Sequence, residues 1–372
     1  MKENPIKVLH IVRYLGQGGI QNLLLNLYRN IDRNKIQFDF LVCSEGVFDE
    51  EVKKLGGKIH RMHYITQVGE LRYKKELKEF LLNHKEYKIV HSHLNEVSGP
   101  VMQVCKSINI PVRIAHSHNI RNSNKILQKL YKMYLKTKIN DNATDLFACS
   151  KEAAKWLFKE KSEQAIILNN AIDMERFEFS EEDRNSIRDE LGIEKECTVI
   201  GNIGKISDQK NQLFVLEVFK EYREKNKNSI LILIGEGKEE EEEKVKQKIK
   251  KLELDNFVIK MKPIKQIEKY YSAFDYFLFP SKYEGLGMVL IEAQASGLKC
   301  FASDIVIPKT TKITENITYI DLNQLPFQWA EQIPNDNCYE RANIKIEKDS
   351  YDIKKIVKQL EEFYENKMKN LE

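Results

Sequence analysis

Two carboxylates, Glu284 and Glu292, lie in the segment Pro280-Ser281-Lys282-Tyr283-Glu284-Gly285-Leu286-Gly287-Met288-Val289-Leu290-Ile291-Glu292-Ala293. Glu284 sits in a glycine-bearing loop, and Glu292 about two helical turns into an apolar run. A charge among Val289, Leu290, Ile291 and Ala293 is costly to bury without a partner. A ribose diol is one such partner, while Glu284 and the N–H groups of Gly287 and Met288 can grip hexose hydroxyls. The plainer alternative is a structural carboxylate that caps neighbouring backbone.

Upstream, Gly204-Lys205-Ile206-Ser207-Asp208-Gln209-Lys210-Asn211 places two lysines beside a glycine after a strand. Two cations there can meet a diphosphate and offset the charge that develops as its bond to a sugar breaks. Surface lysines are common, so this pattern alone carries little weight. Near the start, Gly16-Gln17-Gly18-Gly19-Ile20-Gln21 joins a strand to an apolar helix. Such a turn lets backbone N–H groups at a helix start approach a phosphate; a tight turn without any ligand is the alternative. A dinucleotide fingerprint would need glycine where Gln21 stands and an acid where Cys43-Ser44 follows Val42. Dehydrogenase chemistry is therefore disfavoured.

All eight histidines fall before residue 119, and four form His91-Ser92-His93 and His116-Ser117-His118. Each cluster is expected to follow a strand, so that alternate residues project to one side and both members point into a ligand cleft. His118 is the first candidate to steer an acceptor hydroxyl or to bond a sugar hydroxyl near the reaction centre. His116 is the second, and His93 is placed on the acceptor side. A satisfied structural histidine is the competing reading for each.

The elements that must hold these residues alternate. Short apolar runs at Val8 to Val12, Phe38 to Val42, Ile89-Val90, Val112 to Ala115, Leu146 to Ala148 and Ile166 to Leu168 are separated by segments of helical spacing. A second series starts at Thr198 and continues at Ile230 to Ile234, Phe257 to Ile259, Tyr276 to Phe279 and Cys300 to Ala302. Strand–helix repetition of this kind predicts two doubly wound α/β, Rossmann-like domains facing a cleft. The expected division is 1–170, 171–350 and a terminal amphipathic helix, 351–372, packing back toward the first domain. The run Glu239 to Glu243 reads as the acidic start of a solvated helix.

With 372 residues, 42% hydrophobic and 31% charged, the chain suits two ordinary globular domains and excludes collagen-like or disordered classes. It has no uninterrupted apolar stretch of about 18 residues, and Met1-Lys2-Glu3-Asn4 lacks a signal-peptide core, which points to the cytoplasm. Six dispersed cysteines read as reduced packing residues. The net charge of +4 hides an asymmetry: 28 Lys/Arg against 17 Asp/Glu through residue 170, and 32 against 39 afterwards. A basic first half suits an anionic membrane or a phosphorylated acceptor; no nucleic-acid-binding motif accompanies it. Between Asn122 and Asn140, Lys125, Lys129, Lys132 and Lys136 form one helical face and Leu127, Leu130, Tyr131 and Tyr134 another. Two outcomes stay open: the helix lies on the inner face of the plasma membrane, or its apolar face packs on the domain.

The loop Glu284 to Met288, with Glu292 beyond it, resembles the E-x7-E motif of the family 4 retaining glycosyltransferases of the GT-B fold. Gly204-Lys205 with Lys210 is similar to that family's donor-phosphate pair, and Asn170-Ala171-Ile172-Asp173 with Phe177 resembles its inter-domain segment. Val112 to Asn119 and Gln209-Lys210-Asn211 resemble the exopolysaccharide and capsule branch. The resemblance implies transfer of a hexose from a nucleotide diphosphate sugar, UDP-linked, to a lipid-linked glycan, with retention. It implies no metal and no other cofactor, the nucleotide sugar being a co-substrate. By position it implies that Glu284 holds the transferred sugar, Glu292 the ribose, and Lys205 and Lys210 the diphosphate. Gly285, Leu286, Gly287, Met288 and Val289 would complete the donor loop, and Gly18 and Gly19 would approach the phosphates from the first domain. Two positions depart from the pattern: Lys205 replaces an arginine, losing two-pronged hydrogen bonding, and Met261-Lys262-Pro263 lacks a glycine near the base pocket. The rivals are a catalytically dead nucleotide-sugar-binding module and a nucleotide-sugar epimerase of similar fold.

Overall fold

The structure is a computed structural model and describes residues 4–16, 18–118, 126–284, 286–304, 307–335, 341 and 351–371. The chain divides into two compact units, Met1–Ile172 with Ser350–Glu372, and Asp173–Asp349.

The first unit is a parallel sheet of seven strands: β1 Ile6–Ile11, β2 Ile36–Val42, β3 Ile59–Arg61, β4 Ile89–Ser92, β5 Val112–Ser117, β6 Asp145–Ala148 and β7 Ile166–Ile167. Their spatial order is β3-β2-β1-β4-β5-β6-β7. Helices cover both faces, which is why strands such as β1 are apolar on both sides instead of alternating. Val8 and Phe38 face one core with Leu24 and Tyr28, whereas Leu9 and Val90 face the other with Leu77 and Met102. The order reverses between β1 and β4, the point at which such sheets open a ligand crevice at their carboxyl ends. The turn after β1, His93 after β4 and His118 after β5 all leave the sheet at that end.

Helix Ile353–Lys369 belongs to this unit. It buries Ile353, Ile356, Val357, Leu360 and Tyr364 in the core that holds Val8 and Phe38, one stripe at helical spacing. The Asp352 carboxylate caps it by accepting from the Lys354 N–H at 2.9 Å. Mutual backbone bonds, Ile172 N–H to Tyr351 O and Ile353 N–H to Ile172 O, both 2.9 Å, anchor the returning chain.

The second unit holds β8 Thr198–Ile203, β9 Ser229–Ile234, β10 Val258–Met261, β11 Tyr276–Phe279, β12 Lys299–Ser303 and β13 Ile317–Ile320. They form a parallel sheet in the order β10-β9-β8-β11-β12-β13. The reversal lies between β8 and β11, so the loops following these two strands emerge side by side. Asp275, just before β11, accepts from Arg184 at 2.6 Å, Arg188 at 2.7 Å and the Val199 N–H at 2.7 Å. That buried cluster fixes helix Glu181–Glu190 against the start of both strands.

Candidate active site

In the second unit the loop after β8 and the loop after β11 are joined directly. The Lys282 N–H donates to Gln209 O at 2.8 Å, Gln209 Nε2 to Tyr283 O at 2.8 Å, and Asn211 Nδ2 to Pro280 O at 3.1 Å. Within this frame Lys210 Nζ lies 2.7 Å from Glu284 Oε1, with side-chain exposures of 17% and 7%. The lysine also stands 4.8 Å from the centre of the Phe279 ring, an apolar wall that strengthens both attractions. Lys205 is exposed in the same loop and paired with no carboxylate among the described residues. Gly235, at the end of β9, lets this loop pass: a Cβ there would lie 1.9 Å from Gly204 O.

Gly287 caps helix Met288–Ala295 in the left-handed conformation, φ 76° and ψ 52°, which an L side chain adopts at a cost. No side chain caps this helix. The N–H groups of Met288 and Val289 at its first turn are thus oriented to donate to an anion or hydroxyl. Gly285 lies outside the described residues, and Leu286 is partly buried beside the glycine.

Glu292, one face further along that helix, is held by Tyr271, whose hydroxyl donates to Oε2 at 2.7 Å. Burial pushes the Glu292 carboxyl above the usual carboxylate range, while the Tyr271 hydrogen bond and the positive charges of Lys210 and Arg176 pull it back. Lys205, Lys210, Glu284, Met288, Val289 and Glu292 thus lie in the loops after β8 and β11 and in the helix that follows.

In the first unit Gly18 precedes helix Gly19–Asn30, which also begins without a side-chain cap. Its open N–H groups stand at the carboxyl end of β1, the geometry of a phosphate cradle.

The histidines depart from expectation. His91 and His116 lie inside β4 and β5, not beyond them, and only His93 and His118 follow the strand ends. His116 is 0% exposed. Instead of pointing separately into a cleft, these residues interlock with two groups that sequence reasoning missed, His10 and Tyr364. One row runs from His10 Nδ1 to His93 Nε2 at 2.9 Å and from His93 Nδ1 to His118 Nε2 at 2.8 Å. The other runs from Tyr364 Oη to His91 Nδ1 at 2.7 Å and from His91 Nε2 to His116 Nδ1 at 3.1 Å. The rings stack between rows, with centroids 4.3 Å apart for His91 and His93 and 3.9 Å for His116 and His118. Burial lowers the pKa of His10 and His118 to about 3 and of His91, His93 and His116 well below the usual value. Burial thus favours the neutral form of all five rings. A lone histidine in the apolar run Val8 to Val12 was the available signal for His10; nothing local marks Tyr364.

The sets His10, His91, His93 and His93, His116, His118 each gather nitrogens within 4.8 Å and are the residues that could hold a metal. The bonded nitrogen pairs within these sets, His10–His93 and His93–His118, are 2.9 and 2.8 Å apart. Two imidazoles sharing one tetrahedral zinc at ~2.0–2.1 Å stand farther apart, about 3.3 Å. These spacings are those of hydrogen bonds.

Helix Ile126–Asn140 departs from one of the two outcomes left open by the sequence. Its apolar face does not pack on the unit: Leu127 is 82% exposed and Leu130 57%, with Ile126, Tyr131, Met133 and Tyr134 also exposed. Only Leu135 and Ile139 are buried. Two of the lysines expected to be free are engaged. Lys132 pairs with Glu96 at 3.2 Å, and Lys136 bonds Trp156 O at 2.9 Å with its ammonium over that indole. Lys125 and the start of the expected helix from Asn122 lie outside the described residues.

Comparison with known proteins identifies the class. Residues 183–316 match the family described as Glycosyl transferases group 1. The chain is 29% identical over 340 residues to the putative glycosyltransferase EpsF of Bacillus subtilis, covering 90% of this chain and 88% of that protein. It is 25% identical over 373 residues to the capsular polysaccharide biosynthesis glycosyltransferase CapH of Staphylococcus aureus, covering 97% and 99%. It is 23% identical over 314 residues to the Escherichia coli UDP-Gal:alpha-D-GlcNAc-diphosphoundecaprenol alpha-1,3-galactosyltransferase, covering 81% and 80%. The Anabaena Alr3699/HepE structure in complex with UDP-glucose superposes with a TM-score of 0.72 at 17% identity, covering 98% of this chain and 99% of that one. The fold is therefore GT-B, two Rossmann-like domains in one chain. Residues 183–316 thus resemble the group 1 glycosyl transferases, and most of the chain is similar to glycosyltransferases of polysaccharide biosynthesis.

Proposed function

We propose that this glycosyltransferase moves a hexose from a UDP-sugar to a lipid-linked glycan in exopolysaccharide or capsule synthesis, with retention and without a metal ion. The observation that carries the reading is the Lys210–Glu284 pair held at 2.7 Å between two bonded loops, beside exposed Lys205 and the uncapped helix at Met288. The named substrates of the Escherichia coli relative and the nucleotide sugar bound by HepE support the donor and acceptor classes.

Lys205 and Lys210 meet the diphosphate and stabilise the charge gained as the glycosidic bond to phosphate breaks, work otherwise done by a divalent cation. Glu284, with the N–H groups of Met288 and Val289, fixes the hexose hydroxyls, and Glu292 accepts from the ribose. Gly18 and Gly19 supply N–H groups to phosphate oxygens, and His118 and His116 serve the acceptor side, with His93, both of whose ring nitrogens are bonded to other histidines, supporting His118 from behind. Because the attacking hydroxyl can hand its proton to the departing phosphate oxygen on the same face, no side-chain base is needed there.

The exposed apolar face of helix Ile126–Asn140 gives the protein peripheral contact with an anionic membrane, the place of a lipid-linked acceptor. No described helix is long and apolar enough to cross a membrane.

The test is transfer by the purified protein from a panel of UDP- and GDP-hexoses to a short-chain polyprenyl-diphosphate sugar, with and without EDTA, the product anomer read by NMR. Retained configuration and EDTA-resistant transfer from a UDP-hexose are expected. An inverted product, or activity lost to EDTA and restored by manganese or magnesium, refutes that part of the proposal.

A further inference from the structure

The two histidine rows contain more information than their positions, because each hydrogen bond between neutral imidazoles requires one donor and one acceptor. The direction of one bond therefore dictates the tautomer of the next ring.

In the row headed by Tyr364, the phenol can donate to His91 Nδ1 or accept from it. If it accepted, its own O–H would be buried with no other recorded acceptor among the described residues, since Tyr364 is 0% exposed. Donation from Tyr364 satisfies it. His91 must then carry its proton on Nε2 and donate to His116 Nδ1, which leaves His116 with Nε2–H. That nitrogen is buried and has no partner among the described residues.

The row headed by His10 ends differently. His10 Nε2 is buried without a polar partner, and its ring lies against Phe38 and Phe40 at centroid distances of 4.1 and 5.6 Å. An N–H is favoured over a bare lone pair among aromatic π clouds, and Nε2–H is also the intrinsically preferred histidine tautomer. His10 Nδ1 then accepts from His93 Nε2–H, and His93 Nδ1 accepts from His118 Nε2–H. His118 Nδ1 is left as a bare acceptor, likewise buried and unpartnered among the described residues. One row thus terminates in a donor and the other in an acceptor, on rings stacked 3.9 Å apart.

We propose that Tyr364 and His10 are positioning residues that fix the two rows in opposite directions, so that His116 presents an N–H and His118 a bare nitrogen to one hydroxyl of a sugar or polyol. A hydroxyl both donates and accepts, so it is the smallest group that satisfies both ends. Both nitrogens are buried and without a partner among the described residues. The inference deepens the acceptor-side role proposed for the first unit and rests on that reading only for the ligand.

Histidine-15N-labelled full-length protein tests it directly, because long-range proton–nitrogen correlation spectra distinguish Nδ1–H from Nε2–H on each ring without any substrate. All five rings are expected as Nε2–H at pH 7. Tyr364→Phe, which keeps the ring and deletes the donor, is expected to mix the tautomers of His91 and His116 and leave those of His10, His93 and His118 unchanged. It should also lower kcat/KM for acceptor about tenfold, the worth of one hydrogen bond, with UDP affinity unchanged. His116→Gln, which keeps an N–H, should retain activity that His116→Leu loses. Nδ1–H on His116 or His118 in the parent, or an unaltered spectrum in the Tyr364 variant, overturns the tautomer assignment. Tautomers as assigned with transfer unaffected by either change overturn the hydroxyl role. A parent that transfers no sugar at all sinks the proposed function but leaves the spectrum to decide the rows.

Discussion

Replacing Glu284 by Gln should move nucleotide binding and sugar transfer in opposite directions. In the free protein the carboxylate lies 2.7 Å from Lys210 Nζ and is 7% exposed, so it neutralises the cation meant for the diphosphate. A phosphate oxygen bound on the other side of that ammonium lies ~5 Å from the carboxylate. Repulsion at that separation is about 3 kcal/mol at an effective dielectric of ~20 and about 0.8 kcal/mol in bulk water. Removing the negative charge should therefore tighten UDP and inorganic pyrophosphate by at least about fourfold. Transfer should have the reverse dependence, because in the proposed function Glu284 also accepts from the hexose. Loss of one hydrogen bond to a charged group costs roughly 1.5–3 kcal/mol, so the rate should fall about ten- to a hundredfold. Titration calorimetry with UDP and pyrophosphate, set beside initial rates of transfer, reads both. Weaker UDP binding with an unchanged rate would refute the assignment. Lys210→Met supplies the control: it should weaken both ligands and destabilise the protein, since it leaves a buried carboxylate unpaired.

Glu292→Gln should reduce transfer yet raise thermal stability at pH 7. Burial holds the Glu292 pKa above its unfolded value, so ionisation costs folding energy as pH rises from the usual carboxylate range through the raised value; equal melting curves at pH 7 would contradict this. Neutral His10 and His118, with pKa values lowered to about 3, leave the unfolded state holding more protons between about pH 6.5 and 3. Urea denaturation should therefore show stability falling as pH drops below 6.5, and a flat profile from pH 7 to 5 would argue against buried neutral rings. Leu127→Gln with Leu130→Gln, at positions 82% and 57% exposed, should release the protein from phosphatidylglycerol vesicles without loss of fold. Each buried leucine contributes ~1.5–3 kcal/mol, so partitioning should drop by more than about a hundredfold; equal binding of variant and parent would make the face an ordinary exposed surface.

Much of the local setting of the proposed donor loop was legible in the sequence. Lys205, Lys210 and Glu284 lie in loops that follow strands, and Glu292 in the helix beyond, and the apolar runs of these elements announce themselves because hydrophobic periodicity and glycine turns are local properties of a chain. The alternation of strands and helices likewise sufficed for two parallel sheets, including the terminal helix with its stripe from Ile353 to Tyr364. Pairing across the fold was not legible. Lys210 and Glu284 are 74 residues apart, and nothing local says that each neutralises the other until β8 and β11 become neighbours. The His-Ser-His repeats marked His93, His116 and His118, but whether a histidine faces a ligand or another histidine depends on strand register, which sets His10 opposite His91. Tyr364, separated from His91 by 273 residues, entered that network only when the last helix packed against the first sheet. The amphipathic helix at Ile126–Asn140 shows the same limit from the other side. Its two faces were plain from spacing, yet only tertiary packing left the leucines exposed and engaged Lys132 and Lys136. Local sequence determines which face a residue shares; what that face meets is a long-range contact, decided by how the elements close on one another.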